Sequence, residues 1–189
     1  MQTVNTLPEG YKELYSIDLQ KNKKTAVLVN LLACIIAVFL ALPMSFAVPV
    51  TNLFAQKDAF VIKFVVLLIG MIVYMVLHEV VHGIAMKMCG TKKVKYGFTG
   101  LYAFAGSDDY YAKKPYIFIA LAPVVFWGVV LLIINLLVPM GWFWVVYFIQ
   151  IINLSGAAGD LFVTVKFLRF PKDVLVKDYG VSMTVYSKT

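Results

Sequence analysis

Four apolar stretches, each long enough to cross a lipid bilayer, constrain this chain more than anything else in it. They lie at about Thr25–Ala47, Phe60–Met88, Pro115–Leu137 and Trp142–Phe167. Backbone in hydrocarbon must satisfy its own hydrogen bonds, so each stretch is expected as a helix. With 61% hydrophobic and only 14% charged residues, a chain of 189 residues is too apolar for a water-soluble domain. The expected fold is an all-α membrane protein of about four transmembrane helices.

More than twenty mostly polar residues precede the first stretch, so it does not read as a cleavable signal and is expected to stay as an anchor. The net charge of +7 carries no nucleic-acid motif with it, and nucleic acid is not an expected partner. The 17 Lys and Arg instead flank the spans, and all but Lys57 and Lys63 fall on the side shared by the two tails and the 89–114 connection. By the positive-inside pattern that side is the cytoplasm. The expected organisation is a cytosolic tail over residues 1–24, a four-helix membrane domain over 25–168 and a cytosolic tail over 169–189. A bacterial plasma membrane suits such a chain, with lipid and a membrane-associated protein or peptide substrate as partners.

Within the first tail, Leu7-Pro8-Glu9-Gly10 reads as a turn and Tyr11–Leu19 as a short helix at the membrane surface. Lys63, near the start of the second span, is expected to snorkel outwards. Cys34 and Cys89 have no framework spacing and read as packing residues rather than a disulfide. In the connection between the second and third spans, Val94, Tyr96 and Phe98, then Tyr102 and Phe104, alternate with other residues around Thr99-Gly100. That pattern predicts a short β-hairpin-like element on the cytosolic side. Its aromatic side chains serve either as an interfacial anchor or as an edge strand that docks substrate.

Within the apolar run of the second span lies the stretch His78-Glu79-Val80-Val81-His82-Gly83. Residues four apart share a helix face, so His78 and His82, the chain's 2 histidines, are placed as two metal ligands. Glu79 is placed to act as a general base on a metal-held water. Charge buried in a span costs at least about 2.5 kcal/mol per group, which argues against an incidental polar patch. A catalytic zinc takes three protein ligands. With no further histidine, the third must be a carboxylate or a cysteine. Asp160, the other acidic residue well inside a span, is the leading candidate.

Depth agrees with this pairing. Counted from Phe60 and Trp142, where the chain enters from the same side, His78 and Asp160 lie at equal distances along their spans, roughly 27 Å down. Gly156 and Gly159 are expected to let the helices approach closely. Asn153, two turns before Asp160, can orient a ligand, bind substrate backbone or pair helices. Pro123 can free a backbone carbonyl near the site, or simply pack. Asp108 and Asp109 are an alternative ligand source, but in a basic loop they read more naturally as partners of lysines.

The HEVVHG in a span, Leu121-Ala122-Pro123, the Asn153 to Asp160 segment and the Leu7-Pro8-Glu9-Gly10-Tyr11 opening resemble the zincin membrane peptidases, a family catalogued as a domain of unknown function. More distantly the layout resembles the site-2 proteases, intramembrane metalloproteases with an HExxH helix and a distal aspartate. The resemblance implies zinc held by His78, His82 and Asp160, with Glu79 as catalytic base. The chain departs from site-2 proteases in that Leu161 follows Asp160, no proline lies between Asn153 and Asp160, and there is no room for a PDZ-like domain.

The leading reading is a zinc-dependent membrane-embedded peptidase. Its substrate would lie extended along the strands carrying Tyr96, Phe98, Tyr102 and Phe104. The alternative is a non-catalytic membrane protein that uses its metal for structure or regulation. A metal transporter needs polar groups along its path, and Phe64-Val65-Val66-Leu67-Leu68-Ile69 offers none.

Overall fold

The computed structural model describes residues 3–18, 20–54, 57–100 and 103–188. Its helices are α1 (Lys23–Ala47), α2 (Lys57–Met88), α3 (Lys113–Leu137), α4 (Phe143–Gly156) and α5 (Ala158–Arg169). α1, α2, α3 and the α4–α5 tandem make four stretches long and apolar enough to cross a membrane. α1 and α2 turn large apolar side chains outwards, among them Phe39, Phe46, Val61 and Ile72. Such a surface would drive aggregation in water, but lipid tails are as apolar as these side chains. Asn22 starts α1 by accepting the Thr25 N–H at 3.1 Å.

The fourth stretch is not the continuous helix expected over Trp142–Phe167. It is interrupted at Ala157, whose φ of −81° and ψ of 15° end α4 before α5 begins. Glycine costs about 1 kcal/mol relative to alanine inside a helix, so Gly156 and Gly159 leave this turn weakly held. The restart places Asp160 in the first turn of α5, where the helix dipole favours a carboxylate. The two glycines do not draw helices together as expected. A Cβ on Gly159 would meet nothing within 4 Å, and one on Gly156 only Ile152 at 3.8 Å. The buried small residues are Ala157 and Ala158.

The all-α expectation is corrected by a five-stranded antiparallel sheet built largely from the two tails. Its strands are β1 (Thr3–Val4), β2 (Tyr11–Asp18), β5 (Tyr110–Ala112), β6 (Leu175–Asp178) and β7 (Ser182–Lys188), in the order β1-β5-β6-β7-β2. The helix expected at Tyr11–Leu19 is therefore strand β2 as far as Asp18, and Leu19 lies outside the described residues. Its partner β7 lies at the far end of the chain, so local periodicity could not reveal the pairing. Between α2 and α3, β3 (Lys95–Phe98) pairs antiparallel with β4 (Ala103–Gly106).

Alternation gives the sheet one apolar face. Ile17, Tyr111, Val176, Met183 and Val185 are buried there against Ala85 and Met86 of α2, Tyr116 and Ile119 of α3, and Phe167 of α5. The sheet thus packs across one end of the helices, the end that carries the histidines. At the opposite end Lys63 does not snorkel. It is 1% exposed and its Nζ donates to the Leu53 carbonyl at 3.3 Å, enclosed by the 3-10 turn Val50–Leu53.

Phe167 joins helix to sheet, fully buried with its ring 5.0 Å from Tyr116 and 5.3 Å from Phe170. Phe167→Ala is expected to destabilise the protein by about 3–5 kcal/mol. Thermal unfolding in detergent, followed by tryptophan fluorescence, measures this.

Candidate metal centre

Helical spacing along α2 brings Tyr74, His78 and His82 onto one buried face. The imidazole centroids of His78 and His82 are 4.9 Å apart. Each ring is held at Nδ1. His82 Nδ1 donates to the Ile119 carbonyl at 2.9 Å. His78 Nδ1 donates to the Tyr74 hydroxyl at 2.7 Å, because that hydroxyl gives its own proton to Asn153 Oδ1 at 2.8 Å. Asn153 is fixed in turn by Nδ2, which donates to the Val124 carbonyl at 3.1 Å. Both Nδ1 atoms carry protons, so both Nε2 atoms are left to face the same point.

At that point stands Asp160. Its Oδ2 is 3.6 Å from His78 Nε2 and 3.6 Å from His82 Nε2. A tetrahedral zinc with arms of about 2.0–2.1 Å separates its ligand atoms by about 3.3–3.5 Å, so the three side chains fit the ion with small adjustments. Glu79 is beside them: ligand atoms of His78, Glu79 and His82 lie within 4.8 Å of one another, a group that could hold a metal. The Glu79 carboxylate accepts a hydrogen bond from the Ala105 backbone N–H of β4. Nearness alone makes both Glu79 and Asp160 possible third ligands. Asp160 is the carboxylate whose Oδ2 lies 3.6 Å from both Nε2 atoms.

The strand residues are placed unequally. Tyr96 sets its hydroxyl against Gly83, where a Cβ would collide with it. Phe104 lines the cavity and packs against Gly97 and Gly180. Phe98 is exposed and lines no part of the site, and Tyr102 lies outside the described residues. Asp108 pairs with Lys95 at 2.6 Å, and that ammonium holds its carboxyl below the usual range.

A cavity of about 600 Å³ opens beside the histidines, walled by Val29, Asn30, Met71, Met75, Ser155 and Gly159 among others. The sequence reading missed one member of its wall, Asp178, at the tip of the β6–β7 hairpin. Its Oδ1 accepts the Gly180 N–H at 2.7 Å and its Oδ2 the Tyr116 hydroxyl at 2.8 Å. Val174, Val176 and Asp178 occupy one face of the strand by alternation, so a carboxylate ending an inward apolar row was the available signal. Burial pushes the Asp178 carboxyl up to about 6, more strongly than these two bonds pull it down.

Four helical stretches long and apolar enough to cross a membrane, with an HExxH on the second, are consistent with an integral membrane protein carrying a zincin motif. The family described as "Putative zincin peptidase" matches residues 71–175, more than half of the chain, and the protein belongs to that family. No curated protein and no solved structure matches it.

Because the folded Asp178 binds its proton more tightly than the ordinary carboxyl at 3.8, stability is lost as pH rises from about 4 through 6. Asparagine keeps an acceptor for Gly180 and cannot ionise. In the metal-free protein, Asp178→Asn is expected to raise the melting temperature above pH 6 and to give no gain below pH 4. Melting curves across that range check the sign.

Proposed function

We propose that the protein is a zinc-dependent peptidase embedded in the membrane, similar in plan to the site-2 proteases. His78, His82 and Asp160 are the metal ligands and Glu79 the catalytic base. The observation that carries this reading is the pair of 3.6 Å separations between Asp160 Oδ2 and two Nε2 atoms whose opposite nitrogens are already committed. Membership in the zincin family supports zinc over other metals.

Zinc, when bound, lowers the pKa of a water towards ~7 and polarises a carbonyl. Glu79 receives the proton of the attacking water on a carboxylate oxygen and returns it to the leaving amine. The Ala105 N–H holds Glu79 in place for both transfers. Ala103, Phe104 and Ala105 line the cavity, and among the described residues β4 pairs with no strand but β3, so its other edge can take an extended peptide beside the Ala105–Glu79 bond. Substrate backbone laid there presents carbonyls that a helix would hide. The alanine and glycine wall at Ala158 and Gly159 leaves room for its side chains.

In this reading the sheet, both termini and the basic connection lie in the cytoplasm of a bacterial cell, and water reaches the site from that side. The substrate is a membrane-associated protein or peptide.

Wild-type protein is expected to bind about one zinc, Asp160→Ala to lose it, and Glu79→Gln to keep it while cleaving at least about a thousandfold more slowly. Metal analysis with a peptide-cleavage assay tests both roles. Wild-type zinc retained by Asp160→Ala would sink the ligand assignment, and normal cleavage by Glu79→Gln the base. Gly159→Leu, which projects into open space, is expected to keep zinc and lower kcat/KM by about tenfold or more. Unchanged cleavage would move the substrate path elsewhere.

A further inference from the structure

The two buried histidines face α3 in one short segment, and the sequence of that segment explains why it can hold them. In a regular helix each carbonyl accepts the N–H four residues later. For Ile119 that residue is Pro123, which has no N–H and whose ring crowds the carbonyl out of line. The Ile119 carbonyl is therefore a buried acceptor without its helical donor, and His82 Nδ1 supplies one at 2.9 Å. One residue past the proline, the Val124 carbonyl orients Asn153, and through Asn153 and Tyr74 it orients His78.

We infer that Pro123 is a positioning residue: by withholding its N–H it dedicates the Ile119 carbonyl to His82 and fixes that imidazole with Nε2 turned toward Asp160. The inference rests on the metal-centre reading above for its consequence, but the hydrogen bond it predicts exists with or without metal. A carbonyl can only accept, so it imposes Nδ1–H on His82. A hydroxyl could accept or donate, and at Tyr74 the direction is set because Asn153 Oδ1 takes its proton. Both polarities thus trace back to two backbone carbonyls of α3, those of Ile119 and Val124. Restoring an N–H at position 123 offers Ile119 a competing donor and straightens the carbonyl back along the helix.

The chain's 2 histidines make the test direct, since imidazole resonances can be assigned with one variant. Full-length protein labelled with 15N-histidine is compared with Pro123→Ala and Tyr74→Phe, metal-free and zinc-loaded, and zinc affinity is measured by chelator competition. Wild type is expected to show two downfield, slowly exchanging Nδ1–H protons. In Pro123→Ala the His82 proton should exchange at least about tenfold faster and zinc affinity fall about 10–100-fold, with His78 unchanged. In Tyr74→Phe the effects on the two rings should be reversed. A merely structural proline would lower the melting temperature and move neither reading. Pro123→Gly, which also restores the N–H, replaces an alanine variant that fails to fold. An unchanged His82 proton and zinc affinity in the folded variant overturn the inference alone. Two protected protons in a wild type that takes up no zinc overturn the metal-centre reading and leave Pro123 nothing to position.

Discussion

Everything at the centre of this protein follows from one constraint: ionisable side chains in an apolar helix bundle must be satisfied by one another and by the backbone. Two buried imidazoles stand beside two partly buried carboxylates at the wall of a cavity, where the protein must supply partners for the sides that water does not reach. The chain meets this by spending each Nδ1–H on an internal acceptor and turning both Nε2 atoms onto Asp160. A cluster satisfied in this way on its outer side, with converging lone pairs on its inner side, is what a divalent cation requires. The hydrogen bonds that satisfy the buried rings are also the ones that aim them for the proposed metal.

Of the helices that meet this constraint, one lacks a backbone donor and another is interrupted where it does so. α3 carries Pro123 and so has a carbonyl to give away, and the α4–α5 tandem breaks at Ala157 and so restarts with Asp160 in its first turn. Continuous helices would keep every carbonyl engaged with its own chain. Irregular backbone at membrane depth is tolerable only where it is enclosed by protein or lines a cavity, and the buried break at Ala157 is flanked by Gly156, Ala158 and Gly159 of the cavity wall.

The sheet gives the site a cover and a candidate track. Its inward face packs the ends of α2, α3 and α5, and the β6–β7 tip brings Asp178 to the cavity wall. β3 and β4 lean on the same end, with Ala105 bonded to Glu79 and Tyr96 fitted over Gly83. The bare backbone of Gly83 is what admits the tyrosine hydroxyl so close to α2.

Local pattern alone determined the four apolar stretches, the i,i+4 histidine pair, the glutamate beside it and, from the scarcity of buried acids, Asp160 as their companion. These are legible because helical periodicity and the cost of buried charge act within one segment or depend only on counting residues. The five-stranded sheet was not legible, because Tyr11–Asp18 pairs with Ser182–Lys188 across the whole chain and an isolated strand carries only weak alternation. The burial of Lys63, the break at Ala157 and the presence of Asp178 in the cavity wall were also decided only in three dimensions. The sheet, and with it the place of Asp178, depends on partners remote in sequence that leave only weak alternation in each strand. Lys63, by contrast, is enclosed by a turn ten residues away, and the break at Ala157 lies beside glycines that do not by themselves say where a helix stops.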